Sequence, residues 1–185
     1  QLIETAEKKW GELDFLVHSL AFADYEDLNR PYSETSRTGF MKAHDISAYS
    51  LLPLSNGVAP MMRKRGGGSI LSISFIGAVL AVPNYNVMGS AKAALEASTR
   101  YLARELGPEN IRANSISAGA IRTLSSAGIK NFSEMLRVAG EHSAMLRTVT
   151  PAEVGKTAAF LLSDVSSGIT GQTVYVDCGY SIMAN

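Results

Sequence analysis

The chain has 185 residues, enough to bury a sizeable core in one domain, and its 17 basic and 17 acidic residues balance. That balance removes the electrostatic case for nucleic acid or an anionic membrane surface as a partner. No apolar run reaches membrane-spanning length and no signal peptide opens the chain. The single cysteine, Cys178, has no internal partner, so a reducing compartment, the cytoplasm, is expected.

Leu2–Trp10 reads as a helix already under way at Gln1, so the chain is expected to be part of something longer. The apolar run Asp14–Phe22 predicts a strand buried on both faces, and Asp24–Ser33 a loop. Residues 34 to 63 carry Phe40, Ala43, Ile46, Tyr49 and Leu52 at helical spacing, with Pro53 and Pro60 predicting a kink or break. Gly66–Gly68 reads as a turn: a phosphate loop would follow a strand and open a helix, whereas this triplet precedes the strand Ser69–Phe75. Tyr85–Leu106 predicts one Ala-rich helix stopped by Gly107-Pro108. A strand over Ile111–Ser117 runs into Ala118–Thr123, and a short helix is expected at Ser133–Gly140. Thr150-Pro151-Ala-Glu153 is a capped helix start leading to Leu162, and Thr173–Asp177 is the last strand.

Strands alternating with helices predict an α/β domain over 1–185, with a parallel sheet, right-handed crossovers and helices on both faces. Ligands in such folds bind beyond the carboxyl ends of the strands. Ser19–Ala23, Ser74-Phe75 and Ser117–Thr123 fall there. Tyr85 and Lys92, seven residues apart, are expected on one helix face, where an ammonium beside a phenol favours the phenolate and lowers the Tyr pKa. Taken alone, that spacing is better explained by a core Tyr and a solvated Lys that never meet. His18 and His44 have no carboxylate or Cys at ligand spacing and read as satisfied core histidines, with no metal site. Cys178 reads as a packed thiol.

His18-Ser-Leu-Ala-Phe-Ala23, His44-Asp-Ile-Ser47, Pro83-Asn-Tyr-Asn-Val-Met-Gly89, Lys92, Ser117-Ala-Gly119, Ile121-Arg-Thr-Leu124 and Val176-Asp177 occur in an order that resembles the enoyl-acyl-carrier-protein reductases of bacterial type II fatty-acid synthesis. These are a divergent branch of the short-chain dehydrogenases/reductases, and Tyr-x6-Lys is the most specific sign, since the wider superfamily uses Tyr-x3-Lys. The resemblance implies a Rossmann-like doubly wound parallel sheet whose first strands and Gly-rich loop are absent from this chain. It implies reduction of trans-2-enoyl-acyl-carrier-protein thioesters by hydride from NADH, with NADPH not excluded, in a homotetramer.

On the matching positions, Tyr85 and Lys92 are the catalytic pair. Ser19, Leu20, Ser74, Lys92, Ile121 and Thr123 contact the cofactor, and Ala23, Phe75, Tyr85, Met88, Phe132 and Met135 the substrate. Phe75 stands where bacterial members usually carry a second Tyr, so Tyr85 acts without another phenol. Residues 123 to 138 match a loop that closes over substrate, with Lys130 and Arg137 as candidates for docking the acidic carrier protein. The alternatives are a carbonyl reductase of the same superfamily, or a chain with little or no activity for want of half its cofactor site.

Overall fold

The computed structural model describes residues 1–123 and 129–184. Among these, β1 (Phe15–His18), β2 (Gly68–Phe75), β3 (Ile111–Ala118) and β4 (Thr173–Val176) form one sheet in that order, every pair parallel. The helices are α1 (Leu2–Trp10), α2 (Tyr25–Asn29), α3 (Arg37–His44), α4 (Leu51–Lys64), α5 (Val87–Leu106), α6 (Phe132–Glu141) and α7 (Pro151–Leu162). The expected α/β class and the positions of β2, β3, β4, α6 and α7 hold to within a residue or two.

Alternation along β2 divides the core. Ile70 packs with Leu95 of α5 and Met62 of α4, while Leu71 and Ile73 pack on the opposite face with Leu161 of α7. Each fully buried Leu or Ile of this kind contributes roughly 1.5–3 kcal/mol. The α5 side also carries a polar seam. The hydroxyls of Ser72, Thr99 and Ser115 lie within 3.1 Å of one another, and Thr99 also donates to the Leu95 carbonyl. Every hydroxyl there finds a partner, as buried polar groups must.

The chain advances across the sheet in one direction, yet α5 and α7 cover opposite faces. The two crossovers flanking β3 therefore have opposite hands, and uniform right-handedness fails. The long passage from Gly119 to Thr150 carries the chain to the other face before α7 begins. There Thr150 caps the helix, with a full Thr150–Glu153 capping box and Pro151 at its start.

Three local expectations are corrected. The first strand is four residues long and lies at the sheet edge, with Phe15 and Val17 about half exposed and only His18 fully buried. The stretch read as loop contains α2 and a 3₁₀ turn, Tyr32–Glu34. Between α3 and α4 runs one π-helical turn, Asp45–Tyr49, so the break falls there and not at a proline. Pro53 sits in the first turn of α4, where an N–H would lack an intrahelical partner anyway, and Pro60 is accommodated inside α4. The π turn has a local use. Ser47 accepts from the Phe22 N–H at 2.9 Å and donates to the Phe22 carbonyl at 3.2 Å, pinning the segment after β1 that carries Ala21 and Ala23.

Candidate active site

Tyr85 is not on the helix. Helix α5 starts at Val87, and Tyr85 lies in the preceding turn between Asn84 (φ 61°) and Asn86 (φ 38°). Asn tolerates this left-handed backbone better than most residues, and the two reversals turn the Tyr85 ring inward. The side-chain amide of Asn86 donates to the carbonyls of Leu28 (2.9 Å) and Arg30 (2.8 Å), tying the turn to the end of α2. The ring packs against Phe75 with centroids 4.7 Å apart, tilted by 58°. Gly77 makes room for it: a Cβ there would sit 2.5 Å from the Tyr85 ring. A Cβ on Gly89 would sit 2.8 Å from the Gly77 carbonyl oxygen.

Tyr85 is 8% exposed, and no protein group among the described residues hydrogen-bonds its hydroxyl. Burial pushes the phenol far above its ordinary pKa, the reverse of the expected lowering by Lys92. Desolvation is the cause, and Tyr85 stays a neutral O–H donor. Lys92, 5% exposed, donates to the Ile73 carbonyl at 2.7 Å. Burial lowers its pKa to about 8, opposed by the carboxylate of Glu96 one helical turn on.

Ala23, Phe75, Tyr85 and Met88 meet in one apolar cluster with Leu28 and Val87. The other expected site residues are spread more widely. Phe75 and Met135 line a cavity of about 240 Å³, with Asn84 and Lys130 on its wall. Tyr85, Gly77 and Gly89 border a second cleft of about 390 Å³. Thr123 and Phe132 share an open depression of about 670 Å³ with Arg122. Ser19 and Leu20 are exposed past the end of β1, and Ile121 is half-buried against the α7-side core. Ser74 is buried, and its hydroxyl donates to Glu96 at 2.5 Å, so it is already engaged. Residues 124–128, which include Leu124 and part of the expected closing loop, lie outside the described residues.

The histidine expectations hold in part. His18 is a core residue, but only its Nε2 has a partner, the Ser50 hydroxyl at 2.8 Å, and its Nδ1 has none. Burial, then the Lys92 charge, lowers its pKa to about 4. His44 is only half-buried, stacks on Phe40 at 3.9 Å and bonds the Phe40 carbonyl through Nδ1. Among the described residues no group of three His, Cys, Asp or Glu side chains could hold a metal. Cys178 is half-buried within the α7-side core, and burial pushes its thiol up. Arg137, on the surface, pairs with Glu134 and Glu141 of its own helix, each at 2.5 Å, and Lys130 is exposed.

The sequence reading missed Glu96, Asn86, Gly77 and the Ser72–Thr99–Ser115 seam. Glu96 was in view, since it follows Lys92 by four residues and so shares its helix face. The Gly77 contact and the Asn86 tie join distant segments, and no local pattern records them.

The profile described as Enoyl-(Acyl carrier protein) reductase matches residues 1–181. The chain is 56% identical over 180 residues to enoyl-(acyl-carrier-protein) reductase (NADH) FabI of Nostoc sp., an alignment covering 97% of this chain and 69% of that protein. The crystal structure of the Anaplasma phagocytophilum enoyl-(acyl-carrier-protein) reductase in complex with NAD superposes with a TM-score of 0.94 at 45% identity, over 100% of this chain and 70% of that one. The Bacillus cereus enoyl-acyl carrier protein reductase with NADP+ and an indole naphthyridinone gives 0.96 at 44% identity, over 100% and 71%.

Proposed function

The chain belongs to the enoyl-(acyl carrier protein) reductase family, and from that premise we propose that Tyr85 and Lys92 are the pair through which it works. The reaction is NADH-dependent reduction of an enoyl-acyl-carrier-protein in fatty-acid synthesis. The donor set fits the nicotinamide end of such a cofactor. Lys92 has three N–H donors and uses one on Ile73, leaving two for ribose hydroxyls, and Ser19 and Leu20 stand exposed at the end of the neighbouring strand. When bound, NADH supplies the hydride that reaches the β-carbon of the enoyl group.

Negative charge then gathers on the thioester oxygen, two carbons away. Tyr85 donates a hydrogen bond to that oxygen. A phenol held far above its ordinary pKa gives up its proton reluctantly but donates a full hydrogen bond, which favours an oxyanion-type role over outright proton transfer. Phe75 has no proton to offer and serves as the wall against which Tyr85 packs. Met88, Ala23 and Met135 furnish apolar surface beside them. The observation that carries this reading is the Tyr85 hydroxyl, carried on a buried ring yet without a protein partner among the described residues. Its test is NADH oxidation with a crotonyl thioester by Tyr85→Phe and Lys92→Met. Unchanged turnover in the first removes Tyr85 from the mechanism, and unchanged turnover and NADH affinity in the second remove Lys92.

The wider assembly follows the same reading. A homotetramer is supported by exposed apolar side chains on α3, the π turn and α5, Met41, Tyr49 and Tyr101, and by a second group, Phe160, Val165 and Ile182. The free Cys178 suits the reducing cytoplasm. Lys130, on the wall of the cavity that holds Met135, and Arg137 on α6 are the candidates to meet the acidic carrier protein.

A further inference from the structure

Glu96 is a buried carboxylate that the reaction above leaves unused. It is 6% exposed and lies on α5 one turn beyond Lys92. Its Oε1 accepts from the Ser74 hydroxyl, while Lys92 donates to the carbonyl of Ile73, the residue before Ser74. Two oppositely charged side chains thus dock on consecutive residues at the end of β2. Glu96 is held in the core by a neutral hydroxyl, where an apolar residue of equal volume would serve stability as well or better. No direct ion pair joins Glu96 to Lys92, so its influence on the ammonium is through the field across one helical turn.

We propose that Glu96 is a positioning residue that holds Lys92 in its charged, ribose-binding form through the neutral pH range. The inference rests on the role given to Lys92 above. Burial alone pulls the ammonium toward deprotonation, and Glu96 is the group that opposes it. The other titratable groups around this end of the sheet do not substitute. His18 of β1 is neutral above about pH 4, and the phenols of Tyr85 and of Tyr175 on β4 are both pushed up and so uncharged. Asp177, after β4, acts on Tyr175 and Cys178.

The test is the pH profile of kcat/KM for NADH in the enzyme, read at its alkaline limb. Glu96→Gln keeps the shape and the Ser74 contact but removes the charge, and is expected to move the limb down by about one pH unit. Glu96→Met fills the same volume without an unmatched polar group and gives the same reading should the amide fold poorly. Glu96→Asp retains a negative charge at the same turn of α5 and is expected to hold the limb closer to wild type than either uncharged variant. The proposal is overturned if both uncharged variants keep the wild-type limb, or if Glu96→Asp moves it as far as they do. Lys92→Met separates the levels: retained turnover and affinity sink the role of Lys92 itself, whereas their loss beside an unmoved Glu96→Gln limb sinks only the part given to Glu96.

Discussion

The Lys92 ammonium rests on the carbonyl oxygen of Ile73, 2.7 Å away, and not on the phenol of Tyr85. The two groups are therefore set independently. Lys92 is anchored to the end of β2, and Tyr85 by a turn that precedes α5 and is tied to α2. Each can be removed without dismantling the support of the other, which makes the site open to separate perturbation.

Tyr85→Phe should lower kcat about 10²–10³-fold, the usual loss for one oxyanion donor, while NADH affinity stays within a few-fold of wild type. Because the hydroxyl has no protein partner among the described residues, the same change should leave thermal stability nearly unchanged. A parallel fall in melting temperature and turnover would show that the hydroxyl is structural.

Gly77→Ala drives a methyl to 2.5 Å from the Tyr85 ring, and the ring has Phe75 behind it. We expect about 1–3 kcal/mol of destabilisation and a drop in kcat, read from urea unfolding and steady-state kinetics. Gly89→Ala meets a backbone oxygen that cannot swing aside, so its cost in stability should be at least as large.

Asn86→Ala loses both hydrogen bonds to α2 and puts a less tolerant residue at φ 38°. A loss of roughly 2–3 kcal/mol is expected, with slower turnover from a Tyr85 no longer held in place. Asn86→Gly restores the backbone freedom alone. Stability recovering while kcat stays low would separate backbone strain from the tie to α2.

His18 sets an acid limit on stability. Unfolded, its imidazole takes a proton below about pH 6.5; folded, it refuses one until about pH 4. The unfolded state therefore binds the extra proton within that window, and stability falls as pH drops through it, by on the order of 3 kcal/mol in all. His18→Gln keeps a donor for Ser50 without the titration. Its unfolding midpoint should lose less than wild type between pH 7 and pH 4, and equal losses would exclude His18 as the cause.

Much of this arrangement is legible in the residues. Alternating Ser and Ile in β2 and β3 specify strands, Thr150-Pro151-Ala-Glu153 specifies a capped helix, and Tyr-x6-Lys picks out the pair proposed for the site. Misreadings came where the outcome depends on contacts between distant segments. Phe15 and Val17 look like core residues, and among the described residues they stay about half exposed. Tyr85 looks helical by spacing, but two Asn residues with left-handed backbone hold it outside the helix. The Tyr85 pKa was assigned the wrong direction because charge proximity can be read from spacing, whereas the depth of burial cannot.

The three-hydroxyl seam under α5 acts as an index mark. Apolar surfaces in contact can slide past each other at small cost, since one methyl serves nearly as well as the next. A seam in which Thr99 meets both Ser72 and Ser115 favours one setting, because a shift by a single turn would break both contacts at once and leave the two serines only each other. Thr99 lies seven residues beyond Lys92 on the same helix. Where the ammonium stands along the sheet is thus calibrated two turns away, by residues that never touch a reactant.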